Sequence, residues 1–256
     1  AILITLILST ILNFLTYKLS KKITIKKNHN ERRLSNNLIS PFGGVACSLS
    51  FLLSTRLIGK AGDDLLLIGL FAFIISLLGI IDDIFNLKWY IKLFFQIVLV
   101  LYPLVNLNLF LNFESFIGLD FNNYINFIIS VIWIIAIINS INFIDNMDGL
   151  AAIVSGSICL QVAFLSSYLN QYKLTDISLL LFATIIGFFI FNYPPAKLYL
   201  GDSGSLFIGY CLGFLSIIFN WTPANETVYT SILNPMLLFF TIPLLDFVIV
   251  ISQRIK

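Results

Sequence analysis

The chain has 256 residues, of which 59% are hydrophobic and 11% charged, with a mean hydropathy of +0.97. Soluble domains carry about 25% charged residues, so the composition predicts an integral membrane protein with several helical spans in the lipid bilayer. A formal net charge of +2, without a basic stripe interleaved with aromatic residues, excludes a nucleic-acid partner. A single histidine, and three cysteines within apolar runs, exclude a zinc site and a disulfide framework.

Hydropathy predicts an all-α fold, a polytopic transmembrane helical bundle of about nine spans, built as one integral membrane domain over residues 1–256. The chain opens inside an apolar segment without a methionine, and we interpret this segment as a clipped span of a truncated chain. The predicted spans lie near 1–17, 41–58, 65–81, 92–107, 124–141, 149–168, 177–193, 203–220 and 232–251.

The distribution of positive charge predicts the orientation of the bundle. If the loop after the first span is cytoplasmic, that side receives twelve of the 15 Lys and Arg residues and the other side three. Short loops on the cytoplasmic side of a membrane carry such an excess. Cytoplasmic loops are then predicted near 18–40, 82–91, 142–149, 194–202 and 252–256.

The most unusual stretch is NSINFIDNMDGL, residues 139–150, which follows the apolar run FIISVIWIIAII. Asp145 and Asp148 are three positions apart, so on a helical turn both carboxylates would point to one side. One charged carboxylate at the centre of a membrane helix costs about 2.5–3.5 kcal/mol. Two carboxylates together therefore indicate the end of a helix, a water-filled cavity or a cation site.

Four unusual polar stretches all fall on the predicted cytoplasmic face, and together they predict a site for phosphoryl transfer. They are residues 21–44, 79–92, 139–150 and 191–205. Without a His or Cys cluster, a bound metal would be a hard, oxygen-liganded ion, Mg²⁺ or alternatively Mn²⁺. Lysines beside the carboxylates suit phosphate oxygens, whereas the sequence has no Walker-type loop for nucleoside triphosphates. The candidates are Asp82, Asp83, Asp145, Asp148 and Asp202, the amides Asn139, Asn142, Asn146 and Asn192, and the cations Lys88, Lys92 and Lys197.

Each stretch also has a simpler interpretation. Asp82 and Asp83 could mark the wet end of a span, and the aspartates near residue 145 a solvated helix start. The GDSG stretch, residues 201–204, could be an ordinary turn, although its glycines would let a ligand approach the backbone and Ser203 could cap the next helix. Tyr199 could be an interfacial aromatic residue. The coincidence of all four stretches on one face favours a shared site.

The chain resembles the polyprenyl-phosphate N-acetylhexosamine-1-phosphate transferases, the family that includes WecA, TagO and MraY. The similarity lies in GIIDDIFNL (79–87), NSINFIDNMDGLAA (139–152) and NYPPAKLYLGDSGSLFIG (192–209), with a looser match at NERRLSNNLISPFGG (30–44). The residues of the third motif are more similar to those of the WecA/TagO branch than to those of MraY.

The resemblance implies transfer of a sugar-1-phosphate from a UDP-N-acetyl sugar to undecaprenyl phosphate, with release of UMP, at the cytoplasmic face of the bacterial inner membrane. It implies that Asp202, with Asp145, ligates Mg²⁺ and that Asp82 and Asp83 act on the lipid phosphate. The nucleotide-sugar pocket would be lined by Asn139, Asn142, Asp145, Asp148 and Asn192, with Lys92 and Lys197 available for phosphate and Tyr199 for uracil.

Two departures from the family pattern limit what it implies. Asn86 stands where WecA-type members often carry a third aspartate, so no carboxylate can act from that position. The family's His-rich loop and final spans would follow Lys256, so we expect the segment that ends at Lys256 to be inactive or weakly active. An MraY-like phospho-MurNAc-pentapeptide transferase, a degenerate non-catalytic relative and a multi-span carrier remain alternatives, and homodimer formation stays open.

Overall fold

The computed structural model describes residues 1–20, 42–58, 63–111, 122–219 and 235–255, and every regular element within these ranges is a helix. Most of the first predicted loop, 18–40, lies outside the described residues. The described residues form ten helices, namely α1 (Ile2–Ser20), α2 (Gly43–Ile58), α3 (Asp63–Phe85), α4 (Trp89–Asn106), α5 (Asn123–Ile144), α6 (Leu150–Tyr168), α7 (Tyr172–Asn192), α8 (Gly201–Ile218), α9 (Pro235–Phe239) and α10 (Thr241–Ile255).

Seven of these helices are long and apolar enough to cross a membrane, namely α1 and α3 to α8. The all-α bundle is confirmed, but the count of nine spans is not. Helix α2 has 16 residues, or about 24 Å at 1.5 Å per residue, against a hydrocarbon core of about 30 Å. The ninth predicted span, 232–251, is divided at Phe240 into α9 and α10.

Helix α1 shows that the bundle is built for lipid, because its polar face is the buried one. Thr5, Ser9 and Asn13 are fully buried, whereas most of its large apolar side chains are exposed. The Ser9 hydroxyl donates to the carbonyl of Thr184 on α7 at 2.8 Å. Inside a bilayer, apolar residues are already well solvated by lipid, so small and polar residues are left to hold helices together. The protein is therefore a multi-pass membrane protein.

Helix α8 lies at the centre of the bundle, with 15 of its 18 residues buried. It packs against α2, α3 and α5. Small residues allow the close approach: a Cβ added at Gly44 would collide with the backbone of Gly204, and one added at Gly209 would lie 2.7 Å from the Cα of Ile138. The three cysteines are buried and unpaired, as their apolar surroundings predict.

The connections between helices bring several termini to one end of the bundle, which we call the polar end. There the backbone N–H of Gly43, at the start of α2, donates to the carbonyl of Tyr199 just before α8. The backbone N–H of Gly149, just before α6, donates to the side chain of Asn192 at the end of α7. The ends of α3 and α5 and the start of α4 meet there too, as the site contacts below show.

The glycine contact between α3 and α8 predicts a stability difference within one helix. A Cβ at Gly79 would collide with the backbone of Ser203, whereas the nearest atom to a Cβ at Gly69 is the Cδ1 of Leu52 at 3.6 Å. Overpacking costs about 1–3 kcal/mol. Gly79→Ala should therefore lower the midpoint of thermal unfolding in detergent, and Gly69→Ala should leave it unchanged or slightly raised. Equal effects of the two substitutions would contradict this packing.

Candidate active site

One lysine connects three helices at the polar end. The Lys92 Nζ atom, in the first turn of α4, lies 2.8 Å from Asp82 Oδ2 at the end of α3. It also lies 2.5 Å from Asp202 Oδ2 in the first turn of α8. The exposed fractions of the side chains are 14% for Lys92, 12% for Asp82 and 33% for Asp202. This ion-pair set, the Lys92 bridge, places one cation between two carboxylates.

Asp82 and Asp83 have different partners, as expected for neighbours that diverge by about 100° on a helix. Asp82 Oδ1 accepts from the backbone N–H of Leu87 at 2.8 Å, which fixes the turn after α3. Asp83 is buried, and its Oδ2 accepts from the backbone N–H of Asp202 at 3.0 Å. It therefore lies at the positive N-terminal end of α8. The prediction that Ser203 caps this helix is wrong, because its hydroxyl contacts the carbonyl of Leu200 instead.

Two asparagines of α5 extend the site. Asn142 Nδ2 donates to Asp202 Oδ1 at 3.3 Å and to the hydroxyl of Ser205 at 2.8 Å. One turn further from the polar end, Asn139 Nδ2 donates to the Oε1 of Gln96 at 3.0 Å and to the carbonyl of Ile135 at 2.8 Å. The amides thus orient one of the bridged carboxylates and connect α4 to α5.

Asp145 and Asp148 do not share a helical turn, and that expectation is wrong. Helix α5 ends at Ile144, and residues 145–149 form a turn that closes at Gly149 with φ of 75°. Asp, Asn and Gly favour such turns over helix because their side chains bond to nearby backbone and glycine accepts positive φ. Asp148 Oδ2 instead accepts from the backbone N–H of Ala196 at 3.0 Å.

Asn192 has both ends of its amide engaged with backbone. Its Oδ1 accepts from Gly149 N–H at 2.8 Å, and its Nδ2 donates to the Leu198 carbonyl at 2.9 Å. The side chain is buried. These contacts connect the turn before α6 to the segment before α8. Lys197 in that segment is exposed and Tyr199 is half-buried, and their substrate roles stay predictions.

A cavity of about 590 Å³ opens at the polar end between α4, α5 and α10. It brings together six predicted site residues and lies against the Lys92 bridge, so Asp202 is one contact away. Asp83, Asp148, Asn192, Lys197 and Tyr199 are not part of its lining. The lining residues are Asp82, Leu87, Trp89, Lys92, Leu93, Gln96, Asn139, Asn142, Phe143, Asp145, Asn146 and Val250.

Gln96 is the polar residue of this lining that the sequence interpretation missed. It lies four positions after Lys92, on the same side of α4, inside the otherwise apolar run LFFQIVLV. A lone amide within a membrane span at that spacing from a site lysine was the signal that could have identified it.

The side-chain oxygens near the cavity are of the type that binds a hard divalent cation. They are carboxylate and amide oxygens, and the Lys92 ammonium shows that a positive charge is accommodated between Asp82 and Asp202. No group of three or more His, Cys, Asp or Glu side chains able to hold a metal occurs within the described ranges. Mg²⁺ does not need one, because it is commonly held by one or two carboxylates with water and phosphate oxygens.

A model of the sequence family "Glycosyl transferase family 4" matches residues 65–220, which is more than half of the chain. The chain belongs to glycosyl transferase family 4. The matched region contains the Lys92 bridge, both α5 amides and all of α6, α7 and α8.

Relatives from this family differ in how much of the chain they cover. The chain is 28% identical over 261 aligned positions to the probable undecaprenyl-phosphate N-acetylglucosaminyl 1-phosphate transferase of Bacillus subtilis, covering 100% of the chain and 71% of that protein. It is 37% identical over 71 residues to the phospho-N-acetylmuramoyl-pentapeptide-transferase of Moorella thermoacetica, covering 28% of the chain and 22% of that protein. A Sulfolobus acidocaldarius protein named as a UDP-N-acetylglucosamine–dolichyl-phosphate N-acetylglucosaminephosphotransferase is 27% identical over 222 residues, covering 84% and 63%.

The two hydrogen bonds from the Asn192 side chain to backbone groups predict that this residue stabilises the fold. In Asn192→Asp, the carboxylate can still accept from Gly149 N–H but cannot donate to the buried Leu198 carbonyl, a loss of about 1–3 kcal/mol. The thermal midpoint in detergent should fall. Asn146→Asp, the same change at an exposed position of the cavity, should leave it unaltered. A substrate-binding role alone would leave the midpoint of Asn192→Asp unaltered as well.

Proposed function

We propose that this protein transfers an N-acetylhexosamine-1-phosphate from a UDP-sugar to undecaprenyl phosphate, releasing UMP and forming undecaprenyl-diphospho-sugar. The observation that carries the proposal is the Lys92 bridge beside an amide-lined cavity at one end of a membrane bundle. Membership of glycosyl transferase family 4 and the full-chain similarity to the Bacillus protein support this reaction. The product would supply cell-envelope glycan synthesis.

The reaction joins an oxygen of the lipid phosphate to the β-phosphorus of the UDP-sugar, and the bond from that phosphorus to the bridging oxygen breaks. UMP leaves with the bridging oxygen and its electrons. The second pKa of a phosphate monoester is about 6, so the lipid phosphate needs little deprotonation at pH 7. Catalysis is then mainly positioning and charge compensation.

The residues of the site divide this work in the proposal. Lys92 offers positive charge to the phosphates, and Asp82, which lines the cavity, orients the lipid phosphate or accepts its remaining proton. Asn139 and Asn142 face the nucleotide-sugar, and Asp145 lies at the mouth of the same cavity. Asp83 acts through its hydrogen bond to α8, which positions Asp202.

Magnesium belongs to the proposal as the cofactor, with Asp202 and Asp145 as its protein ligands and Mn²⁺ as an alternative ion. When bound, the ion would compensate charge on the phosphate oxygens. The excess of Lys and Arg on one side of the predicted topology supports placing this end at the cytoplasmic face of the inner membrane.

The proposal is tested by incubating the full-length protein with UDP-N-acetylglucosamine, undecaprenyl phosphate and Mg²⁺ and measuring UMP release and labelled lipid. We expect turnover that Asp202→Asn lowers at least about 100-fold, the order seen when one electrostatic contact to a transition state is lost. Asp64→Asn, an exposed carboxylate at the opposite end of α3, is the matched control. A carrier would release no UMP in any form.

Two further experiments test which sugar donor the protein uses and whether it requires a divalent metal ion. The phospho-N-acetylmuramoyl-pentapeptide donor replaces UDP-N-acetylglucosamine in the first, because the Moorella relative carries that name. In the second, a chelator should abolish turnover and added Mg²⁺ should restore it. Full activity in the chelator would refute the magnesium part of the proposal and leave the transfer reaction standing.

A further inference from the structure

The deep end of the cavity contains an amide donor without a partner. Gln96 is completely buried, yet it contributes to the cavity lining. Its Nε2 atom has no hydrogen-bond partner among the residues that the structure describes. A buried amide left unpaired costs about 1–3 kcal/mol, so a protein retains such a group where something else satisfies it.

The orientation of this amide follows from its neighbours. A backbone carbonyl can only accept, so the Ile135 carbonyl requires the nitrogen of Asn139 on its side. The same nitrogen donates to Gln96, which requires the Gln96 oxygen on that side. The Gln96 nitrogen therefore points away from Asn139, and it is buried without an acceptor among the described residues.

Lys92 and Gln96 present donors from adjacent turns of one helix face. Four residues correspond to about 6 Å along α4, with Gln96 further from the polar end. The Lys92 ammonium has three N–H groups, of which Asp82 and Asp202 occupy two. Lys92 and Gln96 both line the cavity, so its lining contains one charged donor group and one neutral amide donor, a combination suited to an anionic oxygen group such as a phosphate.

The depth of Gln96 distinguishes between the diphosphate of the UDP-sugar and the phosphate of the lipid. A water-soluble nucleotide would reach the cavity from the polar end, where Asp145 and Asn146 line it. A lipid-borne phosphate arrives from the bilayer, and α4 presents exposed Phe94 and Phe95 there. A neutral amide also costs less than a second lysine at this depth.

We propose that Gln96 Nε2 donates hydrogen bonds to the phosphate of the polyprenyl acceptor and is a determinant of its affinity. This inference rests on the proposed function and assigns the acceptor phosphate to the deep end of the cavity, below Lys92. The sugar nucleotide then occupies the part nearer Asp145.

The test measures KM for each substrate, and kcat, in full-length protein with substitutions at Gln96. Gln96→Glu keeps the size and still accepts from Asn139, but it replaces the two donors with a negative charge. Gln96→Leu removes the amide altogether. Losing a hydrogen bond to a charged group corresponds to about 10-fold to 100-fold in affinity. We expect KM for undecaprenyl phosphate to rise by at least about tenfold in both variants, and most in Gln96→Glu, while KM for the UDP-sugar stays within about twofold.

Controls separate this inference from a structural effect and from the proposed function. Gln161→Leu makes the same chemical change at an exposed position on α6 and should alter neither KM. An unchanged UDP-sugar KM in the Gln96 variants shows an intact nucleotide site. If the wild type turns over but the lipid KM is unaffected, if only kcat falls, or if the UDP-sugar KM rises instead, the assignment of Gln96 is wrong and the transferase proposal stands. A wild type without turnover refutes the transferase proposal itself.

Discussion

The Lys92 ammonium between two carboxylates is the interaction on which the arrangement of the polar end depends. Asp82 and Asp202 come from helices that are distant in sequence, and each would be costly beside lipid without a partner. Their oxygens both lie within 2.8 Å of one nitrogen. The end of α3 and the starts of α4 and α8 must therefore lie close together, and this convergence creates one wall of the cavity.

Close backbone packing makes that convergence possible. Glycines on α2 and α3 lie against the first turn of α8 so tightly that a methyl group would not fit. Asp83 adds a hydrogen bond to the backbone at the start of α8. The pair Asp82–Asp83 thus has one carboxylate for the cavity and one for the scaffold, which explains why a single turn of α3 contributes to both.

Hydropathy predicted the helices well because a bilayer requires long apolar runs with internally satisfied backbone. Three of the four polar stretches, those that contain Asp82, Asp145 and Asp202, lie at one end, since each connection reverses the chain. Hydropathy could not reveal the hydrogen-bond partners of individual side chains. Asp148 and Asn192 carry the residue types of a ligand pocket, but their hydrogen bonds go to backbone groups. The division of the ninth predicted span at Phe240 was not predicted either, although Pro243, three residues further on, is a residue that interrupts or begins helices.

Gln96 is a residue of the cavity that the sequence did not identify. Its importance depends on the register of α4 against α5, which a single sequence does not reveal. Only the contact between Asn139 and Gln96 fixes where the free donors point. Motif residues thus identified most of the polar side chains that line the cavity, whereas the position of Gln96 required the packed structure.

The most direct test of the Lys92 bridge is a double-mutant cycle between Lys92 and Asp202. The free energy of unfolding in mixed micelles is measured for the wild type, Lys92→Met, Asp202→Asn and the double variant. If the two side chains form the contact described, their effects should deviate from additivity by about 1 kcal/mol or more. Additivity to within about 0.5 kcal/mol, the behaviour of distant sites, would contradict the bridge and the site built on it.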